Sequence, residues 1–180
     1  MYERLCLCAL VPRLETRTRL VLVIHRFEAA KPTNSGQLAT AALVNSEVYL
    51  RGVAGEAPPL AIDAATQPLL LFPHEDAVPL ASFARATRPI TLVVPDGTWR
   101  QAARVRRRVP GLAQIPCVSL AAEAPASARL RAQHHAERIP TLAAIARALG
   151  ILEGPAVRAA LEALHAALVA RTLGLRGRRA

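Results

Sequence analysis

The sequence predicts one domain of the α/β class over residues 1–180, with a mostly parallel sheet and helices on both faces. Three observations predict it. Short apolar runs typical of buried strands alternate with longer segments of helical character. The chain has 180 residues, 52% of them hydrophobic, which is enough to bury one substantial core. The strongest strand, residues 90–94, is followed at once by a polar loop and a helix, an order that places a site at the carboxyl end of a sheet.

The first half of the chain combines three predicted strands with one helix. Aliphatic and β-branched runs predict strands at residues 18–25, 47–50 and 68–72. Residues 34–43 predict a helix, which either Asn34 or Ser35 can cap. Residues 51–59 are rich in glycine and proline, so they predict a loop and the place where order is most easily lost. Residues 79–83 predict a short helix or a loop.

The second half of the chain is predicted to be richer in helix. Strands are predicted at residues 90–94 and 116–120, helices at 99–109, 140–149 and 155 to about 173, and irregular polar structure at 121–139. Pro140 and Pro155 stand where the first turn of a helix tolerates proline, and Gly150 is predicted to end the first of these two helices. The basic tail, residues 176–180, is expected to be disordered.

The charge of the chain predicts a polyanionic partner. The formal net charge is +10, and Lys31 is the only lysine among the 23 basic residues. A GC-rich genome explains the preference for arginine but not the net sign, and a basic domain attracts nucleic acid or phosphorylated ligands. No run of 18 apolar residues and no secretory signal is present, so we expect no membrane partner and a cytoplasmic location. Cys6, Cys8 and Cys117 form no disulfide framework, which also fits a reducing compartment.

The residues after the strongest strand are the best candidates for chemistry. A carboxylate such as Asp96 at the end of a strand can accept a proton from a substrate, and Gly97 allows a ligand to approach the backbone closely. Trp99 can stack on a base. An equally simple interpretation is a turn and helix cap, with Trp99 as a core anchor.

Arginines recur at helical spacing directly after these residues. Their positions are Arg100, Arg104, Arg107 and Arg108, which fall on one helix face. This face predicts phosphate contacts, although a solvated surface would have the same pattern. His25 and Glu28, at the end of the first predicted strand, either orient a substrate or close a turn by hydrogen bonding.

Residues 95–102 read P-D-G-T-W-R-Q-A. Around this central stretch, the chain resembles the DTW-domain family in several segments that occur in the family's order. Residues 6–28 are similar to a C-x-C followed by a strand that ends in His-x-x-Glu, and residues 31–39 to a stretch around Asn-Thr, with Ser35 in place of the threonine. Residues 70–77 resemble a strand that ends in Tyr/Phe-Pro. Residues 127–131 and 139–149 resemble the late Leu-Arg and Ser-Thr-x-Glu-Ala elements.

This resemblance implies a SPOUT-like fold with a knotted carboxyl-terminal half and the activity of a tRNA-uridine aminocarboxypropyltransferase. Such an enzyme transfers the 3-amino-3-carboxypropyl group of S-adenosylmethionine to the imide nitrogen of a tRNA uridine and releases methylthioadenosine. The expected partners are tRNA and S-adenosylmethionine as co-substrate, bound by a monomer or a homodimer. A SPOUT-like RNA methyltransferase and a non-catalytic RNA-binding paralogue are the alternatives.

The residue patterns and the resemblance together give candidate residues for each role. The catalytic candidates are Asp96, as general base, with Thr98 and Trp99. The candidates for binding S-adenosylmethionine are Phe72, Pro73, Pro95, Asp96, Val118, Leu120, Leu130, Arg131 and Thr141, with Arg129 as an alternative to Arg131 for its carboxylate. The candidates for binding RNA are His25, Glu28, Lys31, Asn34, Arg100, Arg104, Arg107 and Arg108.

Departures from the family pattern limit these expectations. Family members commonly carry a C-x-x-C upstream of the C-x-C, which together complete a four-ligand metal site, whereas this chain offers Cys6 and Cys8 alone there. We therefore expect no metal and no zinc. Ala128 stands where a tyrosine is expected and Ala143 where a glutamate is expected, which points to altered substrate contacts or reduced activity.

Overall fold

A computed structural model describes residues 6–32, 34–53, 59–121 and 139–176. Its centre is a six-stranded sheet in the order β2-β1-β5-β3-β6-β4, in which every pair of neighbouring strands is parallel. The strands are β1 Arg19–His25, β2 Ser46–Arg51, β3 Gln67–Leu71, β4 Val78–Pro79, β5 Ile90–Asp96 and β6 Cys117–Ser119. The α/β class and the mostly parallel sheet are therefore confirmed.

In the described ranges, five α-helices connect and cover the strands. They are α1 Arg26–Ala29, α2 Gly36–Ala42, α3 Trp99–Arg108, α4 Thr141–Leu152 and α5 Pro155–Arg176. Short 3-10 helices lie at Cys8–Leu10, Leu80–Phe83 and Leu112–Gln114. Within the part of the chain that the structure describes, no helix is both long enough and apolar enough to cross a membrane.

The two faces of the sheet are buried by different helices, as expected of a parallel sheet. On β1, alternate residues such as Leu22 join a core cluster with α2, α4 and α5. The intervening residues, such as Val23, join a second cluster with Val105 and Val109 of α3 and its following turn. The near-continuous apolar runs of β1 and β5 follow from this burial on both faces.

The register of the strands brings polar residues to one edge. Ile24 near the end of β1 is paired with Asp96 of β5, and His25 is paired with Arg51 at the end of β2. Because the strands are parallel, their carboxyl ends lie along the same edge of the sheet, called the carboxyl edge. The polar residues at these strand ends surround one region.

Two predicted element boundaries are wrong for an identifiable reason. The sequence predicts a loop at residues 95 and 96, but β5 continues through Asp96 because β1 supplies Val23 and Ile24 as partners. Arg51 likewise belongs to β2 rather than to the glycine-rich loop, because His25 pairs with it. Residues 54–58 of that loop lie outside the described residues.

The predicted end of α4 at Gly150 is also wrong. The helix continues to Leu152, and Gly154, with φ of 104°, follows it in a conformation that only glycine adopts easily. Gly150 instead allows α4 and α5 to approach, since a β-carbon there would lie 2.8 Å from Cδ of Arg158. Sequence alone does not distinguish a glycine that ends a helix from one that lets a second helix pack closely.

Candidate functional site

Asp96 is the centre of the polar region at the carboxyl edge of the sheet. It ends β5, which is flanked on both sides by parallel strands, and its residue is only 6% exposed. A carboxylate at such a position is costly to bury unless neighbouring groups hydrogen-bond to it. The elements around β5 supply those groups.

Two side chains from distant parts of the sequence donate hydrogen bonds to Asp96. Nδ2 of Asn34 donates to Oδ2 over 2.6 Å, and the hydroxyl of Thr141 donates to Oδ1. Asn34 is itself held because its Oδ1 accepts a hydrogen bond over 3.0 Å from the backbone N–H of Gln37 in α2. A carboxylate has about four lone-pair sites, so two donors fix its orientation and leave acceptor capacity.

Gly36 brings the first turn of α2 close to this carboxylate. A β-carbon at position 36 would lie 3.0 Å from Oδ2 of Asp96 and 3.1 Å from Cδ1 of Leu22. The residue is buried, and the space around it has no room for a larger side chain without movement of Asp96 or Leu22. Gly36 has no signal in the sequence, because only the packing of α2 against β5 reveals what it faces.

Thr98 and Gln101 form a capping box at the start of α3. The Thr98 hydroxyl accepts a hydrogen bond from the Gln101 backbone over 3.3 Å, and Oε1 of Gln101 accepts one from the Thr98 backbone over 2.8 Å. Gly97, with φ of 133°, makes the turn between Asp96 and this cap. Thr98 is therefore the N-cap of α3, as the turn-and-cap interpretation predicts. A catalytic role for Thr98 stays a prediction. Trp99 is the first residue of α3, and its role also stays a prediction.

The predicted RNA contacts around the end of β1 have local partners. Nδ1 of His25 accepts a hydrogen bond from the backbone N–H of Phe27 over 3.4 Å, which caps α1. A β-carbon added to Gly52 would lie only 2.3 Å from Nε2 of His25, so the imidazole ring and Gly52 are in close contact. Glu28 and Lys31 form an ion pair of 2.7 Å, with the lysine the more exposed of the two. Their RNA contacts, and that of Asn34, stay predictions.

Most of the described residues that are predicted to bind S-adenosylmethionine lie at or near the carboxyl ends of three adjacent strands, whereas Thr141 begins α4. Pro95 belongs to β5, Phe72 and Pro73 directly follow β3, and Leu120 directly follows β6. The side chain of Val118 is fully buried in the core, and its carbonyl accepts a hydrogen bond over 3.0 Å from the backbone of Phe72. The structure therefore brings these residues to one side of Asp96. Leu130 and Arg131, together with Arg129 and Ala128, lie outside the described residues.

The arginine face of α3 is exposed as its spacing predicts. Its four members are Arg100, Arg104, Arg107 and Arg108, and all four are exposed. On the opposite side of the helix, Val105 and Val109 are buried against the sheet. Among the described residues, none of these four arginines takes part in an ion pair. Within the described part of the chain, the face is therefore a positive surface without ionic partners, and it begins four residues after Asp96.

Among the described residues, Cys6 and Cys8 do not belong to any cluster of three potential metal ligands. The sulfur atoms of Cys6 and Cys8 are 3.2 Å apart, and their hydrogen bond raises the pKa of Cys8. Among described residues, the one cluster of three potential metal ligands is elsewhere, at His74, Glu75 and Asp76. Burial raises the pKa of the Cys117 thiol, which packs in the core.

The fold and this edge define the class of protein. It is a parallel α/β protein with a buried, hydrogen-bonded carboxylate at the end of a central strand and a basic helix beside it. A family model described as the DTW domain matches residues 1–173, so the chain belongs to the DTW-domain family. The resemblance predicted from the sequence is thereby confirmed.

One curated relative extends this comparison. The chain is 37% identical over 87 residues to tRNA-uridine aminocarboxypropyltransferase 2 of Drosophila melanogaster. The match covers 48% of this chain and 35% of the relative, so the chain matches about a third of the relative's length. No solved structure matches the chain.

Proposed function

We propose that this protein is a tRNA-uridine aminocarboxypropyltransferase that uses S-adenosylmethionine as its second substrate. Membership of the DTW-domain family and the similarity to a relative of that name support the proposal. The observation that carries it is the position of Asp96, a buried carboxylate oriented by Asn34 and Thr141 at the end of a central strand.

Asp96 acts as the general base in the proposed reaction. The imide nitrogen of uridine carries a proton that must leave before the nitrogen can attack carbon, and a positioned carboxylate can accept that proton. The nitrogen then forms a bond to the aminocarboxypropyl carbon next to sulfur. That carbon–sulfur bond breaks with its electron pair going to sulfur, so methylthioadenosine leaves as a neutral thioether.

The ends of β5, β3 and β6 form the proposed binding surface for S-adenosylmethionine. These strands are neighbours in the sheet, so Pro95, Phe72 and Leu120 lie along one edge next to Asp96. Ligands of parallel α/β sheets bind outside the carboxyl ends of strands, where backbone groups and apolar side chains are both accessible. The sulfonium substrate supplies its own leaving group, so the proposed reaction needs no metal.

The arginine face of α3 is the proposed surface for the tRNA backbone. Exposed guanidinium groups that lack carboxylate partners attract phosphates, and a net charge of +10 favours the approach of a polyanion. The face starts at Arg100, four residues after Asp96, so bound phosphates would hold the target uridine near the carboxylate. A cytoplasmic location and a monomeric or dimeric state remain predictions.

Mass spectrometry of tRNA tests this function directly. Unmodified tRNA is incubated with the protein and S-adenosylmethionine, digested to nucleosides and compared with a reaction that contains Asp96→Asn protein. A uridine heavier by one aminocarboxypropyl group, together with released methylthioadenosine, supports the proposal. A uridine heavier by one methyl group would instead identify an RNA methyltransferase. Binding of both substrates without product would identify a non-catalytic paralogue, an outcome consistent with Ala143 in α4.

A further inference from the structure

Phe27 is the most exposed large apolar side chain in the described part of the chain, at 62% of its surface. It belongs to α1, which begins two residues after the position where β1 pairs with Asp96 of β5. The ring therefore lies at the carboxyl edge of the sheet. Single exposed apolar residues are common on protein surfaces, so the contacts around this ring decide what it can bind.

Two neighbouring side chains hold the Phe27 ring in place. Cζ of Arg26 lies 4.6 Å from the ring centroid, which is the distance of a cation–π contact. The His25 ring lies 5.2 Å away at an interplanar angle of 33°, and its Nδ1 accepts a hydrogen bond from the Phe27 backbone over 3.4 Å. A side chain that is oriented before its ligand arrives loses little conformational freedom on binding.

The charge around the Phe27 ring favours an anionic partner. Arg26 is exposed, and among the described residues it takes part in no ion pair. Glu28, the acidic residue of α1, is already paired with Lys31 over 2.7 Å. An aromatic ring beside such a guanidinium suits a nucleotide, because the base can stack on the ring while the cation attracts the phosphate. A second copy of this chain, with a net charge of +10, would be repelled.

Three hydrogen bonds connect α1 to the carboxylate of Asp96. Nε2 of Gln37 donates to the carbonyl of Ala29, at the end of α1, over 2.9 Å. The backbone N–H of Gln37 donates to Oδ1 of Asn34 over 3.0 Å, and Nδ2 of Asn34 donates to Asp96 over 2.6 Å. These bonds fix the position of α1 relative to the carboxylate that acts on the target uridine in the proposed reaction.

We propose that Phe27 stacks on a nucleobase near the target uridine, in a single-stranded segment of the tRNA. This inference rests on the proposed function. The imide N–H of uridine is the donor in Watson–Crick pairing, so a uridine that reacts at this nitrogen must be unpaired. Bases in unpaired segments can be separated from each other and stacked on aromatic side chains. Such stacking tolerates every base, so Phe27 positions the segment and does not read its sequence.

The test compares the tRNA affinities of Phe27→Ala, Phe27→Leu and Phe27→Trp at several salt concentrations. Alanine should weaken binding about 5- to 150-fold, the effect of losing one stacked base, and the log-log salt slope should stay the same because no charge is removed. Leucine should not recover the loss, since it has no π face, whereas tryptophan should bind at least as tightly as the wild type. Leu173→Ala in α5 is the matched control, because Leu173 is 57% exposed, and it should leave the affinity unchanged.

Fluorescence of the Phe27→Trp protein reports the contact itself. Addition of tRNA should quench this protein more strongly than the wild type, in which Trp99 is the only tryptophan. Quenching equal to that of the wild type would mean that no base reaches position 27.

Three further results would overturn the inference. One is a Phe27→Ala protein that melts like the wild type and binds tRNA as tightly. Another is full affinity in Phe27→Leu, which would mean an apolar contact without stacking. The third is a change of oligomeric state in Phe27→Ala, which would assign the ring to a contact between copies of the chain. Since these are binding measurements without S-adenosylmethionine, a wild type that binds tRNA but forms no product would contradict only the proposed catalytic function.

Discussion

The Asp96 pocket, formed by Asp96, Asn34 and Thr141, and the arginine face of α3 are built in opposite ways. In the pocket, the charge is buried and each carboxylate oxygen has a donor, supplied by Asn34 or Thr141. On the arginine face the charges are exposed, and among the described residues they have no ionic partners. A carboxylate that must keep one orientation needs fixed hydrogen-bond donors. Exposed arginines that are to attract a flexible polyanion act through their net charge and need no fixed partners. Substitutions in the pocket should therefore change transfer or stability in a way that depends on geometry. Substitutions on the arginine face should change tRNA binding gradually and in a way that depends on salt.

The largest effect is expected for Asp96→Asn. The amide keeps the size of the side chain and can accept from Asn34 through its oxygen while it donates to the Thr141 hydroxyl, so the fold should be preserved. It cannot serve as a carboxylate base, and loss of a general base typically lowers the rate by about 10²- to 10⁴-fold. Formation of aminocarboxypropyl-uridine under saturating substrates is the measurement, with a melting curve as the folding control. A variant that melts like the wild type and turns over within a few-fold of it would make Asp96 a structural residue.

Gly36→Ala should affect stability and transfer together. The added methyl group would lie 3.0 Å from the carboxylate oxygen and 3.1 Å from a methyl group of Leu22, and overpacking of this kind costs about 1–3 kcal/mol of the free energy of unfolding. Gly174→Ala in α5 is the matched control, because nothing lies within 4 Å of the new carbon. That control should be neutral or more stable by up to about 1 kcal/mol. Urea denaturation of both variants tests this, and equal stabilities would contradict the close approach at Gly36.

Thr141→Val should weaken the pocket without changing its shape. Valine is close to threonine in size but cannot donate to Oδ1 of Asp96, so a buried carboxylate loses one of its two donors. Removal of such a partner typically costs about 1–3 kcal/mol of stability. Thr172→Val provides the comparison, since among the described residues that hydroxyl donates to the carbonyl of Leu168 one turn earlier in α5. If both variants unfold at the same urea concentration, the bond between Thr141 and Asp96 does not stabilise the fold.

The smallest effect is expected on the arginine face. Arg104→Ala combined with Arg107→Ala should leave stability and S-adenosylmethionine affinity unchanged while tRNA binding becomes weaker and less dependent on salt. Each lost phosphate contact should lower the log-log slope by about 0.7 to 0.9. Fluorescence anisotropy at several salt concentrations measures this slope. An unaltered slope would mean that the face is ordinary solvated surface.

The same contrast explains how much of the molecule could be predicted from its sequence. The arginine face depends on residues three and four positions apart, and the strands depend on local apolar runs, so both were visible in the sequence. The pocket depends on Asn34 and Thr141, which are 62 and 45 positions from Asp96. All three are candidate residues in the sequence, with Asn34 assigned to RNA and Thr141 to the co-substrate, but nothing in the periodicity indicates that they meet.

Other features were missed because they depend on packing between elements. Gly36 and Gly150 are small because another element approaches them, which a single sequence does not reveal. Arg51 was assigned to a loop because glycine and proline follow it, whereas its pairing with His25 extends the strand. The two-residue strand β4 is too short for any alternation of residues to be seen.

The dependence of the Asp96 pocket on Thr141 also has a consequence for biosynthesis. On the ribosome, the strand that ends in Asp96 is made before α4, so the carboxylate stays hydrated until the later helix docks. A nascent chain that stops before residue 141 already contains the arginines of α3 but has no completed pocket. Under the proposed function, the surface for RNA is therefore synthesised before the pocket for transfer, and transfer requires a chain whose synthesis has passed the start of α4.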